Sequence, residues 1–183
     1  MRVNGWAIWI TGLPGSGKSI VARTLKQRFS KEGIRSQIIS SDQLRRILTP
    51  DPVYSEDERD MVYQTLTYIV EVLIRNGVNV IVDATGNKRK YRGDCRAKVK
   101  RFFEVYLKCP LETCIERESS REETHMAPKD IYAKAQTSEH STVPGLGEPY
   151  ETPKTPEVLV HSNILSPEDI SQIIVEYVQK TQL

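Results

Sequence analysis

The apolar positions of the chain keep two alternating rhythms. Residues 6–10, Trp6-Ala7-Ile8-Trp9-Ile10, are continuously apolar, the pattern of a strand buried on both faces of a parallel sheet. From Lys18 to about Lys31 the spacing changes to three and four, with Ile20, Val21, Leu25 and Phe29 on one side. That spacing predicts an amphipathic helix, stopped by Gly33, where a left-handed backbone is easiest. A second strand is expected over Gln37–Ser40, running into Ser41-Asp42-Gln43-Leu44-Arg45. Ser55 to Asn76 predicts one long helix. Ser55 stands as its cap with Glu58 three residues on, the spacing of a capping box, and Met61, Val62, Leu66, Ile69, Val70, Leu73 and Ile74 form the apolar face before Gly77. Further strands are predicted at Val78–Val82, Phe102–Leu107 and Val158–His161, and helices at Lys88–Lys100, Pro110–Glu118 and Pro167 to about Lys180. Pro167 suits a first helical turn.

Strands alternating with helices imply an α/β chain: a five-stranded parallel sheet with helices on both faces, three layers in all. Residues 1–183 are expected to form one domain. Residues 118–156 break the rhythm, being polar, charged and rich in Pro and Gly, with a helical piece only near Asp130–Gln136. A stretch of that kind in a compact domain is a lid or is disordered.

Candidate chemistry begins directly after the first strand. Gly12-Leu13-Pro14-Gly15-Ser16-Gly17-Lys18-Ser19 satisfies G-x-x-x-x-G-K-[ST] in full and stands between a buried strand and a helix start. Glycines in such a loop let main-chain N–H groups turn toward phosphate oxygens, and the helix N-terminus adds its dipole. The motif predicts a P-loop NTPase that binds ATP with Mg²⁺. Gly12, Leu13, Pro14, Gly15, Ser16, Gly17, Lys18, Ser19 and Ile20, joined by Arg117, are the expected nucleotide-binding residues. Lys18 is expected to neutralise the β- and γ-phosphates, and Ser19 to ligate Mg²⁺.

A P-loop alone does not distinguish a kinase from a GTPase or a motor ATPase. The N-K-x-D segment by which GTPases read guanine is absent. Asp83, at the end of the Val78–Val82 strand, is a second candidate for the metal. Small size, a polar lid and an acidic residue after the second strand favour a kinase acting on a nucleotide or metabolite. Asp42, at the carboxyl edge where open α/β sheets bind ligands, is placed to accept the substrate's hydroxyl proton or orient that hydroxyl, or else to cap the next helix. Arg45 and Arg59 have forks that match phosphate or sulfate oxygens, although Arg59 could instead pair with a glutamate.

Composition narrows the partners. A net charge of +2, with 38% hydrophobic and 27% charged residues, describes a globular chain and gives no reason to expect a nucleic-acid or membrane partner. No apolar run approaches the ~20 residues that span a bilayer. Cys95, Cys109 and Cys114 contain no CxxC pair, so free thiols and a reducing, cytoplasmic location are expected. His125, His140 and His161 are far apart and are not needed for phosphoryl transfer, and Trp6 and Trp9 are expected in the core.

Several of these segments together resemble the adenylylsulfate (APS) kinases, P-loop enzymes that phosphorylate the 3′-hydroxyl of APS to give PAPS. The opening Gly5–Ser19 is similar to that family's start, Asp42-Gln43-Leu44-Arg45 resembles its D-N-V-R, and Ser55-Glu56-Asp57-Glu58-Arg59 its S-E-E-D-R. Lys129, Tyr132, Lys134 and Ala135 sit as in its K-G-L-Y-K-K-A lid, followed by Gly145, Pro149-Tyr150-Glu151 and the Thr155–Val160 strand. The resemblance implies that Arg45 and Arg59 hold the sulfate-phosphate end of the acceptor and that Asp42 faces its ribose hydroxyl. It also implies that Tyr54 stacks on the acceptor's adenine, that Lys129 and Lys134 close on phosphates, and that the chain forms a homodimer. The chain departs from the family at Asp83-Ala84-Thr85-Gly86-Asn87, where the family has S-F-I-S-P, so no serine is available at Gly86 to carry a phosphoryl group. Val143 replaces the second stacking aromatic, Val62 an asparagine, and Gln43 the Asn of D-N-V-R. These changes fall on the acceptor side and leave the donor side intact. The expected alternative is the same chemistry on another nucleotide-linked or small metabolite, and behind it an NTP hydrolase or a nucleotide-binding regulator.

Overall fold

The computed structural model describes residues 5–120, 130–136 and 142–182. Five strands, β1 (Ala7–Thr11), β2 (Ser36–Ser40), β3 (Asn79–Asp83), β4 (Phe102–Lys108) and β7 (Val158–His161), form one sheet in the order β2-β3-β1-β4-β7. Every neighbouring pair in it is parallel. Two short strands, β5 (Val143–Pro144) and β6 (Gly147–Glu148), pair separately.

Strand periodicity divides β1 between two cores, because successive side chains point to opposite faces. Ile8 and Ile10 join Val21, Leu25 and Phe29 of α1 (Lys18–Lys31) and Ile170 and Ile174 of α7 (Pro167–Gln182). Ala7 and Trp9 face the other way, into Val62, Leu66 and Val70 of α3 (Glu56–Arg75) and Tyr91 and Cys95 of α4 (Arg89–Lys98). All five residues of β1 are buried, and each large apolar side chain so removed from water contributes about 1.5–3 kcal/mol. Trp9 Nε1 donates to the Ala84 carbonyl at 3.0 Å, so its one polar atom is satisfied inside the core.

The predicted elements are present with ends shifted by a residue or two. Two helical faces differ from expectation: Ile20 and Met61 are 48% and 43% exposed. Ile20 lies in the first turn of α1 beside the phosphate loop, and Met61 sits at the solvent border of the α3 stripe. The segment after β2 is a helix of its own, α2 (Ser41–Leu48), whose cap is Ser40. A third, smaller apolar cluster joins Cys109, Cys114 and Tyr132 to Leu13, Leu111 and Val143. It packs α5 (Leu111–Ser120) and α6 (Ile131–Gln136) against the phosphate loop.

Candidate active site

The loop from β1 to α1 has the geometry of an anion cradle. Gly17, at the N-terminus of α1, has φ 95°, and no side chain caps the helix there. The first-turn N–H groups are therefore left to a ligand. At Gly15 the constraint is space as well as conformation: with φ 81°, a Cβ would lie 2.3 Å from the Cys114 carbonyl oxygen. Ser16 Oγ is buried without a hydrogen-bond partner among the described residues. Lys18 Nζ crosses the loop and donates to the carbonyls of Gly12 (3.1 Å) and Leu13 (2.9 Å). Helix α6 reaches the same loop through Tyr132, whose hydroxyl donates to Pro14 O at 2.9 Å. An ammonium, uncapped helix N–H groups and a glycine-lined hollow are what a polyphosphate requires.

Strand register collects the acidic candidates. Asp83 pairs with Ile10 of β1, two residues before Gly12, and with Ser40 of β2, two residues before Asp42. Ser41 Oγ lies 3.5 Å from Asp83 O, closing α2 onto the end of β3. Phosphate loop, Asp83 and Asp42 thus meet at one carboxyl edge of the sheet. The Asp83 residue is 8% exposed, and its carboxylate accepts no hydrogen bond from the described residues. That carboxylate and the Ser19 hydroxyl are hard oxygen donors of the kind Mg²⁺ takes alongside its retained waters.

A cleft of about 170 Å³ opens beside that edge, lined by Asp42, Arg45, Arg46 and Tyr54 together with Pro50 and Pro52. Arg45 Nη1 forms an ion pair with Glu58 Oε1, and its guanidinium carbon sits 4.8 Å from the centroid of the Tyr54 ring. Tyr54 has φ 56°, a left-handed backbone that costs a non-glycine residue about 1–3 kcal/mol. Burial pushes its phenol above the ordinary range, and the Arg45 charge offsets part of that rise.

The remaining expected residues are less uniformly placed. Arg59 is buried, donating Nε to Tyr54 O (3.0 Å) and Nη2 to Thr142 O (2.7 Å). It bridges the cleft to the segment entering Val143 rather than pairing with a glutamate. Val143 packs in the cluster around Cys114. Val62 is fully buried core, and Gln43 is exposed. Arg117 donates Nη2 to Ser162 O at 3.0 Å and reaches Cys109 Sγ at 3.9 Å; it stands on α5, the helix whose Cys114 carbonyl abuts Gly15. Lys134 is exposed on α6. Lys129, His125 and His140 lie outside the described residues. The three thiols are free and buried, and no three metal-ligating side chains cluster among the described residues. No helix among them is long and apolar enough to cross a membrane.

Three supporting groups are not evident from motif spacing. Thr11 Oγ1 donates to Thr85 O and accepts from the Tyr150 hydroxyl. Asn87, 1% exposed, donates to Glu148 Oε1 and Pro149 O. Arg92, 2% exposed, donates to Gly86 O, Glu104 Oε1 and Glu151 O. Together they fix the Asp83–Asn87 turn to residues 148–151. A polar turn after a buried strand was their only sequence signal.

The chain is similar in sequence and fold to known proteins. A family model described as adenylylsulphate kinase matches residues 4–161. A probable adenylyl-sulfate kinase of Pyrococcus abyssi is 32% identical over 173 residues, 94% of each chain. One of Archaeoglobus fulgidus is 35% identical over 158 residues, covering 86% of this chain and 96% of its own. The solved APS kinase of Mycobacterium tuberculosis, in complex with AMPPNP and APS, superposes with a TM-score of 0.83 at 29% identity, over 96% of this chain and 98% of that one. With a phosphate loop, an edge carboxylate pair and an arginine-lined cleft on this fold, and a family match over most of its length, the chain belongs to the adenylylsulphate kinase family.

Proposed function

We propose that this chain transfers the γ-phosphoryl group of ATP to the 3′-hydroxyl of adenylylsulfate, giving PAPS and ADP. The observation that carries the proposal is the meeting of phosphate loop, Asp83 and Asp42 at one sheet edge, beside a cleft walled by Arg45 and Tyr54. The Mycobacterium relative binds an ATP analogue and APS together, which supports the same pair of substrates here.

Each side chain has a part in this reading. Residues Gly12 to Ile20 and Arg117 hold the nucleotide, and Lys18 neutralises charge on the transferring group. Ser19 and Asp83 would hold Mg²⁺, which when bound would supply a Lewis acid for the phosphate oxygens. Asp42 takes the proton of the acceptor hydroxyl or orients it. Arg45 holds the sulfate-phosphate end, Tyr54 offers its ring to the adenine, and Arg59 keeps that wall in place while adding its own charge. Lys134 and Lys129 act from a lid over residues 118–156, which closes on the substrates and keeps water from the phosphoryl group. Residues 1–183 work as one domain in the cytoplasm, on small nucleotides rather than nucleic acid. They do so as a homodimer, for which Met61, Tyr68 and Val72, exposed along α3, offer an apolar surface; sedimentation at micromolar concentration distinguishes dimer from monomer.

A coupled assay following ATP-dependent conversion of APS to PAPS, with Mg²⁺ and reductant, tests the activity. APS should be preferred over a panel of nucleosides, nucleotides and sugars. One observation favours a different acceptor: the Asp83–Asn87 turn, which borders the site, departs from the family's S-F-I-S-P. Turnover of another nucleotide-linked hydroxyl with none of APS would replace the first reading by the second. ATP hydrolysis outpacing transfer to every acceptor would leave neither standing.

A further inference from the structure

Glu58 does more than begin a helix. It stands in the first turn of α3, is 9% exposed, and its own N–H is capped by Ser55 Oγ at 3.2 Å. In a reciprocal capping box its carboxylate would return to the Ser55 amide. Instead Oε2 reaches past the cap, accepting from the main-chain N–H groups of Val53 (2.7 Å) and Tyr54 (3.0 Å). Oε1 pairs with Arg45 Nη1 of α2. A capping role explains none of those three bonds.

What they have in common is the acceptor cleft. Tyr54 is one of two non-glycine residues with positive φ among the described residues, at 56°. Glu58 ties its amide, and Arg59 Nε ties its carbonyl at 3.0 Å. Consecutive side chains of α3 therefore hold both ends of an unfavourable backbone conformation, which persists only when its surroundings over-determine it. The conformation sets the Tyr54 ring 4.8 Å from the guanidinium carbon of Arg45, the same guanidinium that Glu58 holds. Only Nη1 of that fork is engaged by Glu58, so Nε and Nη2 retain the paired geometry that suits an oxyanion.

We infer that Glu58 is a positioning residue for the acceptor cleft. One carboxylate aims the Arg45 guanidinium and fixes the backbone turn that presents the Tyr54 ring, so cation and aromatic wall are aligned before an anionic nucleotide arrives. The pairing lowers the net charge of the cleft, so an acceptor is selected by the direction of Arg45 more than by bulk attraction. The inference rests on the acceptor reading of the cleft given above.

The test compares wild type, Glu58→Gln, Arg45→Ala and the double variant. Gln keeps the shape and one acceptor oxygen but loses the ion pair. Glu58→Gln should raise KM for APS at least tenfold while KM for ATP stays within twofold. In the Arg45→Ala background the same change should raise it less than threefold, because the group being aimed is already gone. An unchanged KM for APS, an equal factor in both backgrounds, or a parallel rise for both substrates with a lowered Tm would overturn the assignment. Hydrogen exchange of residues 49–58 supplies a readout that needs no substrate. In Glu58→Ala the amides of Val53 and Tyr54 should exchange at least tenfold faster, with the last turns of α3 unaffected. Unchanged exchange refutes the inference even if APS is the acceptor. Wild type inert toward APS, with exchange accelerated as expected, refutes only the choice of acceptor.

Discussion

Thr11 and Tyr150 join the end of β1, just before the phosphate loop, to the segment that follows β6. The Thr11 hydroxyl has one proton, given to Thr85 O at 2.5 Å, so it accepts from the Tyr150 hydroxyl, 2.9 Å away. The Tyr150 ring lies 6.0 Å from that of Tyr106 and 5.8 Å from the Arg92 guanidinium. The segment after β6 is thereby anchored on β1, β4 and α4 at once. Tyr150→Phe keeps the ring and removes the proton donor. It should cost about 1 kcal/mol, the net worth of one such hydrogen bond, and lower the urea midpoint without changing the slope. An unmoved midpoint would show that the ring contacts alone secure the anchor.

Arg92 carries a larger share of that anchor. Its guanidinium is 2% exposed, and it pairs with Glu104, itself 8% exposed. Glu104 is also approached by Arg96 Nη2 at 3.3 Å, so losing Arg92 does not leave the carboxylate wholly unpaired. It does orphan the buried carbonyl of Gly86 and the half-buried one of Glu151. Arg92→Leu should destabilise by about 3 kcal/mol, the low end of the cost of breaking a buried pair from one side, because Arg96 still meets Glu104. Arg92→Leu combined with Glu104→Leu should recover part of it. A loss below about 1 kcal/mol for the single variant, measured by chemical denaturation, would contradict this account of the turn.

The anchor also marks where sequence reasoning stopped. β1 was legible because Trp6–Ile10 contains no polar residue; its one polar member, Thr11, is buried with its hydroxyl satisfied by Thr85 O and Tyr150. The donor loop was legible because glycine at positive φ and lysine at the helix start are local requirements. Glu58 was not: its spacing from Ser55 announces a cap, but the bonds to Arg45 and to the Val53 amide depend on how α2 and α3 dock. Arg59 was read as an anion grip, and its fork is engaged by two carbonyls, one of them 83 residues away. Ile20 and Met61 failed for a simpler reason. Helical spacing identifies the apolar side of a helix but not where its edge meets water, and both stand on that edge.

Donor and acceptor sides should separate kinetically. Lys18 is the one side-chain cation of the loop, and its ammonium lies across the loop carbonyls. Lys18→Ala should reduce kcat at least a hundredfold with every acceptor, the scale of losing one preorganised group that meets transition-state charge. Arg45 lines the cleft and not the loop. Arg45→Ala should raise KM for the acceptor roughly 10–100-fold, in line with about 1.5–3 kcal/mol for hydrogen bonds to a charged group, and leave KM for ATP nearly unchanged. Acceptor kinetics unaltered in Arg45→Ala would remove it from the site.

The buried thiols make stability depend on alkali. Burial pushes Cys95 and Cys114 up to about 12, with Cys109 adding to the rise at Cys114. Tyr63 is raised by burial as well. Groups with raised folded values bind protons more tightly when folded, so unfolding releases protons once the pH passes the ordinary thiol value near 9. The stability they contribute is fully present below that pH and is lost as the pH climbs toward 12. Denaturation midpoints should therefore be flat between pH 7 and 8 and fall steadily above 9. The same shifts govern reactivity, because only the thiolate attacks. At pH 8 a thiol of pKa near 12 is ionised about one part in ten thousand, against about one in ten for a thiol near 9. Cys95 and Cys114 in the folded protein should accordingly react with a disulfide reagent at least a hundredfold more slowly than in urea. Rapid labelling of both in the native state, with the denaturation midpoint constant to pH 10, would mean that neither sulfur is as secluded from water as its position beside Thr67 or Cys109 implies.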